Sequence, residues 1–116
     1  MRIFIADDQS SVRSALCCLL EQEPGLVVVG QVSRWRDLSR RVRSSNADLL
    51  LLDWELPGLV AADLARLLQP LAKVIVLSSR PESRQAALSA GADAFVSKSD
   101  APECVLEAIH SVMRVS

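Results

Sequence analysis

Histidine is nearly missing from this 116-residue chain: there is one, His110, beside three cysteines, Cys17, Cys18 and Cys104, that form no Cys-x-x-Cys pair. This set lacks the paired spacing of an ordinary zinc site, and an odd cysteine count gives no closed disulfide framework. The thiols fit a reducing cytoplasm. Long apolar runs are lacking too: nothing approaches the roughly 20 residues of a membrane-spanning helix. The N-terminal Ile3-Phe4-Ile5-Ala6 meets acid at Asp7, too soon for a signal peptide. The formal charge is only −1, which argues against non-specific nucleic-acid binding by the chain as a whole. The local exception, Arg34, Arg36, Arg40, Arg41 and Arg43, reads as a solvated helix face rather than an anion site. Repeats, low-complexity tracts and linkers are absent from the sequence, so residues 1–116 read as one domain.

What is present is an alternation of apolar runs with helical patterns. After Ile3 to Ala6, the residues Val12, Leu16, Leu19 and Leu20 recur as one buried helical stripe that Pro24-Gly25 ends. A strand follows at about Leu26 to Val32, then an arginine-rich helix opening after Ser33, then a strand ending at Asp53. Pro57-Gly58 turns the chain into a helix carrying Leu64, Leu67 and Leu68, closed by Pro70. Next come the strand Val74 to Leu77, a helix from about Glu82 to Ala90 stopped by Gly91, and the short strand Ala94 to Val96. For the last helix, Asp100 and Glu103 predict a capping box, Pro102 suits the first turn, and Val105, Ile109, Val112 and Met113 line one face.

Five strands alternating with five helices predict an α/β fold of three layers, a parallel sheet with helices on both faces. This explains why Leu49 to Leu52 are apolar at every position instead of every second one. Ligands of such open sheets bind beyond the carboxyl ends of the strands, where strand order reverses. Asp7, Asp8, Asp53, Ser78 and Lys98 all fall at that edge.

Converging carboxylates repel one another unless a cation offsets them, and all-oxygen ligation suits Mg²⁺. A hydroxyl and an ammonium beside them can grip a tetrahedral dianion, so the set points to phosphoryl transfer. Asp53, at the end of the expected central strand, is the candidate nucleophile, and its attack would give an acyl phosphate. Taken singly the residues are unremarked: Asp7 can cap a helix, Asp8 can be loop charge, Ser78 and Lys98 are ordinary strand-end residues, and Phe95 is ordinary core. Their joint occurrence in order carries the reading.

These residues resemble the receiver domain of bacterial two-component response regulators over essentially the whole chain. The matching pieces are Ile5-Ala6-Asp7-Asp8, Leu52-Asp53-x-x-Leu56-Pro57-Gly58, Val76-Leu77-Ser78, and Gly91-Ala92-Asp93-Ala94-Phe95-Val96-Ser97-Lys98. The resemblance implies a flavodoxin-like (βα)5 fold with strand order 2-1-3-4-5, and Asp53 as acceptor of phosphate from the histidine of a sensor kinase. It implies Mg²⁺ held by Asp8, Asp53 and the main-chain carbonyl of Glu55, with Asp7 acting mostly through water. Ser78 and Lys98 would grip the phosphoryl oxygens, and Ser78 and Phe95 would form the two ends of a conformational switch. On this reading the chain is a regulatory domain rather than an enzyme, catalysing only its own phosphorylation and dephosphorylation.

Some positions depart from the family pattern. Ser99 stands where many receivers have proline, glycine is lacking after Pro57-Gly58, and the spacings from Asp53 to Ser78 and on to Lys98 are short, so trimming of the third and fourth helices or of their loops is expected. Glu55 and Arg80 are expected to tune phosphate lifetime by pairing across the cleft mouth. Trp54 is expected to pack beneath the acceptor loop and His110 to lie on the surface. Two other functions are weighed: an aspartyl phosphotransferase of the haloacid dehalogenase type, which places an Asp-x-Asp nucleophile after the first strand, and a receiver-shaped interaction module regulated without phosphate. A weaker likeness is to receivers with helix-turn-helix output of the NarL type. DNA would then be bound only through an output domain that residues 1–116 do not include; the sequence reads as either a stand-alone receiver or a truncated one, with truncation favoured because the last helix ends without an evident terminal signature. Homodimerisation through the last helix, near Cys104, is a further expectation, with no membrane partner.

Overall fold

Leu49–Asp53 forms the central strand, β3, buried at every position because it has a neighbour on each edge and helices over each face. The computed structural model describes residues 1–68 and 70–114. The other strands are β1 (Arg2–Ala6), β2 (Val27–Val32), β4 (Lys73–Ser78) and β5 (Ala94–Ser97). All neighbours pair in parallel, in the order β2-β1-β3-β4-β5.

The two faces of the sheet divide the apolar residues by the two-residue period of a strand. Ile3, Ile5, Leu49, Leu51, Ile75 and Leu77 point to one face. There they meet α1 (Ser10–Glu21) through Leu16 and Leu20, and α4 (Glu103–Arg114) through Val105 and Ile109. Phe4, Leu50, Leu52, Val74, Val76 and Phe95 point to the other, covered by α2 (Leu38–Ser45), by the segment Ala61–Leu68 and by α3 (Arg84–Ser89). The unbroken leucine run is therefore two interleaved stripes. The three-layer α/β architecture and the strand order match the expectation.

The third crossover differs from the regular helix expected around Leu64, Leu67 and Leu68. Ala61–Asp63 forms a 3₁₀ turn and Leu64–Leu68 a π-helical turn, with Val60 still extended before them. Leu64 and Leu68 nevertheless reach the core, the burial that decides this segment. The fourth crossover is short as well, a 3₁₀ turn at Pro81–Ser83 followed by six residues of α3. The capping box expected at the last helix does not form: the Asp100 carboxylate instead accepts the Ser97 N–H at 3.1 Å, tightening the loop after β5.

One glycine is set by a neighbour. Gly30 in β2 lies opposite Phe4, where the β1–β2 register shifts, and a Cβ at Gly30 would come within 2.4 Å of the Phe4 ring. The Arg41 guanidinium lies 5.5 Å from the ring centroid and donates to the Gln31 carbonyl at 2.9 Å. This arginine thus has a packing role, while Arg34, Arg36, Arg40 and Arg43 are exposed as expected for a solvated face.

Candidate functional site

The carboxyl ends of β1, β3, β4 and β5 meet beside the point where strand order reverses, with β1 leading into α1 on one face and β3 into Ala61–Leu68 on the other. Asp7 follows β1, Asp53 ends β3, Ser78 ends β4 and Lys98 follows β5. Asp7, Asp53 and Ser78 are buried to 1%, 0% and 0% exposure. Asp8 is exposed at the rim. Every residue expected at this edge is there.

Lys98 supplies the cation that tethers two of the acids. Its Nζ lies 2.8 Å from Asp7 Oδ2 and 3.2 Å from Asp53 Oδ1. Asp7 Oδ1 accepts the Gln9 N–H at 2.9 Å, a turn that leads into α1, and Arg13 donates to the Asp7 carbonyl at 2.7 Å. Asp53 Oδ1 accepts the Glu55 N–H at 3.0 Å, whereas Asp53 Oδ2 is buried with no hydrogen-bond partner. Asp7 Oδ2 likewise makes no well-angled hydrogen bond, its close cation contact being Lys98.

Burial raises the Asp53 pKa from the usual carboxylate value, and the nearby Asp7 charge adds to this against the opposing pull of the Glu55 N–H and Lys98. For Lys98 burial pulls downward, but the bonds and charges of Asp7 and Asp53 outweigh it, so its pKa is raised and the ammonium form is held. Asp7, Asp8 and Asp53 each bring one carboxylate oxygen to within 4.8 Å of the others. Three acids, one orphaned buried oxygen and one ammonium leave the cluster short of positive charge. Hard oxygen donors of this kind fit Mg²⁺, which takes few carboxylates and completes its sphere with water and phosphate oxygens.

The Glu55 side chain departs from expectation. Its Oε2 accepts the Ser78 hydroxyl at 2.7 Å, and its Oε1 accepts Ser79 N at 3.0 Å and Ser79 Oγ at 3.1 Å. Burial pushes the Glu55 carboxyl up, yet these bonds from Ser78 and Ser79 bring it below the ordinary glutamate value. The expected Glu55–Arg80 ion pair is not among the salt bridges of the described residues. Arg80 acts here through its backbone, donating N–H to Ser78 Oγ at 3.0 Å. The serines compete better because they sit at the strand end and directly after it and need no long side chain to be ordered.

Phe95 is buried at 9% exposure among the residues of its sheet face. Trp54 and Trp35 pack against the same core, and the Trp35 N–H donates to the Pro57 carbonyl at 3.0 Å, tying the loop after β2 to the loop after Asp53. His110 is exposed on α4, away from the cluster. Sequence reasoning missed Ser79, whose signal was a second hydroxyl beside Ser78. It also missed Ser97, a buried serine whose Oγ lies 2.8 Å from Ser99 Oγ.

Comparison with known proteins agrees with this geometry. The family model of the response regulator receiver domain matches residues 3–110. The transcriptional regulatory protein DesR of Bacillus subtilis is 34% identical over 114 residues, covering 96% of this chain and 57% of that protein. Response regulator UvrY of Escherichia coli is 31% identical over 117 residues, covering 97% and 54%. The chain thus spans little more than half the length of these curated relatives. Among solved structures, the isolated receiver domain of RcsB from Salmonella enterica serovar Typhimurium, in the presence of the phosphomimetic BeF3⁻, superposes with a TM-score of 0.87. It is 25% identical, with 100% of this chain and 90% of that one covered. The five-stranded sheet, its acidic cluster and the match over residues 3–110 place this chain in the response regulator receiver domain family.

Proposed function

We propose that the chain is the phosphorylation-controlled switch of a two-component system, with Asp53 as phosphoacceptor. The observation that carries this is the asymmetry of the Asp53 carboxylate: Oδ1 is held by the Glu55 N–H and Lys98, while Oδ2 has no partner and faces no competing donor. An oxygen oriented by its twin and left free is suited to nucleophilic attack. Oδ2 attacks phosphorus, an O–P bond forms, and the P–N bond to the histidine of a separate kinase breaks. The imidazole leaves as the neutral base after taking up a proton. The donor histidine comes from elsewhere, since His110 lies off the site.

Asp7, Asp8, Asp53 and the main-chain carbonyl of Glu55 would hold Mg²⁺, whose chemistry here is to neutralise phosphate charge. Lys98, already 3.2 Å from Asp53 Oδ1, passes to a phosphoryl oxygen, and Ser78 gives a hydroxyl to another. The resulting acyl phosphate adds one to two negative charges at the β3 end. Slow hydrolysis by the same residues, with Glu55 and Arg80 setting its rate, returns the switch to rest. The receiver of a transcriptional regulator would pass the signal to a DNA-binding output domain, as the names of relatives such as DesR support. A homodimer through α4, near the half-buried Cys104, is the accompanying assembly.

Intact mass after incubation with phosphoramidate tests the reading. A single phosphoryl adduct is expected in Mg²⁺, lost with a chelator and in Asp53→Asn. An adduct that forms equally in Asp53→Asn would place the chemistry elsewhere. No adduct with small donors or a cognate kinase would favour an interaction module regulated without phosphate.

A further inference from the structure

We infer that the Glu55 carboxylate is an internal competitor for the hydroxyl a phosphoryl group must recruit, so that displacing Glu55 is a required step of the switch. The inference rests on the phosphoacceptor reading of Asp53. A serine hydroxyl has one proton to give. In this structure Ser78 gives it to Glu55 Oε2 at 2.7 Å, while Ser78 Oγ also accepts the Arg80 N–H at 3.0 Å. Ser78 is fully buried and its hydroxyl is engaged as donor and acceptor, so it cannot serve the acceptor cleft without breaking a bond to a charged group.

The competitor is also wired to the acceptor. The Glu55 N–H holds Asp53 Oδ1 at 3.0 Å, and the same residue's side chain reaches across to Ser78 and Ser79. The two strand ends are thus joined by one residue, in an arrangement that Lys98 N–H extends to β5 by donating to the Ser78 carbonyl at 2.8 Å. A phosphoryl group on Asp53 acts on Glu55 twice: it claims the Ser78 proton and it repels a second anion two residues away. Once Glu55 leaves, the Ser79 N–H and hydroxyl lose their acceptor, and the loop leading to Pro81–Ser83 and α3 is freed to move. Glu55 is therefore a positioning residue that sets the resting state of β4's end.

Beryllofluoride, a mimic of the acyl phosphate, tests this when titrated with Mg²⁺ into the whole chain, with backbone amide exchange at Ser79 read in parallel. Glu55→Ala is expected to lose Ser79 amide protection in the metal-free state, and with Mg²⁺ to bind beryllofluoride about tenfold more tightly, the factor of one charge-assisted hydrogen bond. Glu55→Gln, which keeps one acceptor oxygen and loses the charge, should fall between. In a Ser78→Ala background, Glu55→Ala should change affinity little. Unchanged Ser79 protection and affinity in Glu55→Ala would overturn the inference, and so would a full gain persisting without the Ser78 hydroxyl, since that is charge repulsion alone. Failure of the wild-type chain to bind beryllofluoride would overturn the phosphoacceptor reading itself, and the inference with it.

Discussion

The two oxygens of Asp53 meet different surroundings, and that difference has a cost in the metal-free protein. Oδ2 is a buried anionic atom without a donor, and burial raises the Asp53 pKa above its unfolded value. With a raised pKa the folded state binds the proton more tightly, so stability falls as pH rises from the ordinary aspartate range through the raised value, and the penalty is complete above it. Asp53→Asn should therefore be the more stable protein in chelator at neutral pH, by about 1–3 kcal/mol, the scale of one unsatisfied buried group. The gap should close on acidification below the ordinary aspartate range. Thermal unfolding across pH checks this, and a wild type that is the more stable at neutral pH would contradict it. At this scale Asp7, Asp8, Asp53, Ser78 and Lys98 were legible because each ends an apolar run. The Glu55 contacts were not, since sequence gives opposite charges a reason to pair but not the side-chain reach and competing donors that decide it; Ser78 and Ser79 hold Glu55 and Arg80 does not.

Among the elements, strands were easier to read than helices for a physical reason. Leu49 to Leu52 must be buried on both faces, so composition alone marks β3. The segment Ala61–Leu68 needs only two leucines in the core, which 3₁₀ and π turns supply as well as an α-helix would, so periodicity did not reveal its form. The pairing of Gly30 with Phe4 was hidden too, because it depends on a register shift between β1 and β2. Gly30→Ala tests it. A Cβ at 2.4 Å from a ring that is only 1% exposed forces the ring or the strand to shift, with an expected loss of about 1–3 kcal/mol in denaturant unfolding. A neutral substitution would mean the β2 edge yields freely.

For the whole molecule, the strand ends assemble an acidic cluster that the fold alone only partly neutralises, with one ammonium against three carboxylates. A divalent cation that binds the folded chain and not the unfolded one must then stabilise it. Mg²⁺ at a hundred times its dissociation constant is expected to add about 2.7 kcal/mol and raise the melting temperature by several degrees. Asp8→Asn should weaken that response, and monovalent salt at equal ionic strength should not reproduce it. A melting temperature indifferent to Mg²⁺ would contradict the metal assignment. Among the described residues no helix is long and apolar enough to cross a membrane.

The central claim is that Asp53 itself carries the phosphoryl group, and the most direct measurement is to trap the adduct chemically. Borohydride reduces an acyl phosphate at an aspartate to homoserine, which tandem mass spectrometry locates in a peptide. After phosphoramidate and Mg²⁺, homoserine is predicted at position 53 and at no other acid, with none when Mg²⁺ is chelated. Homoserine at position 7 or 8, or a stable phosphoryl group on His110 or a serine with Asp53 unmodified, would contradict the account.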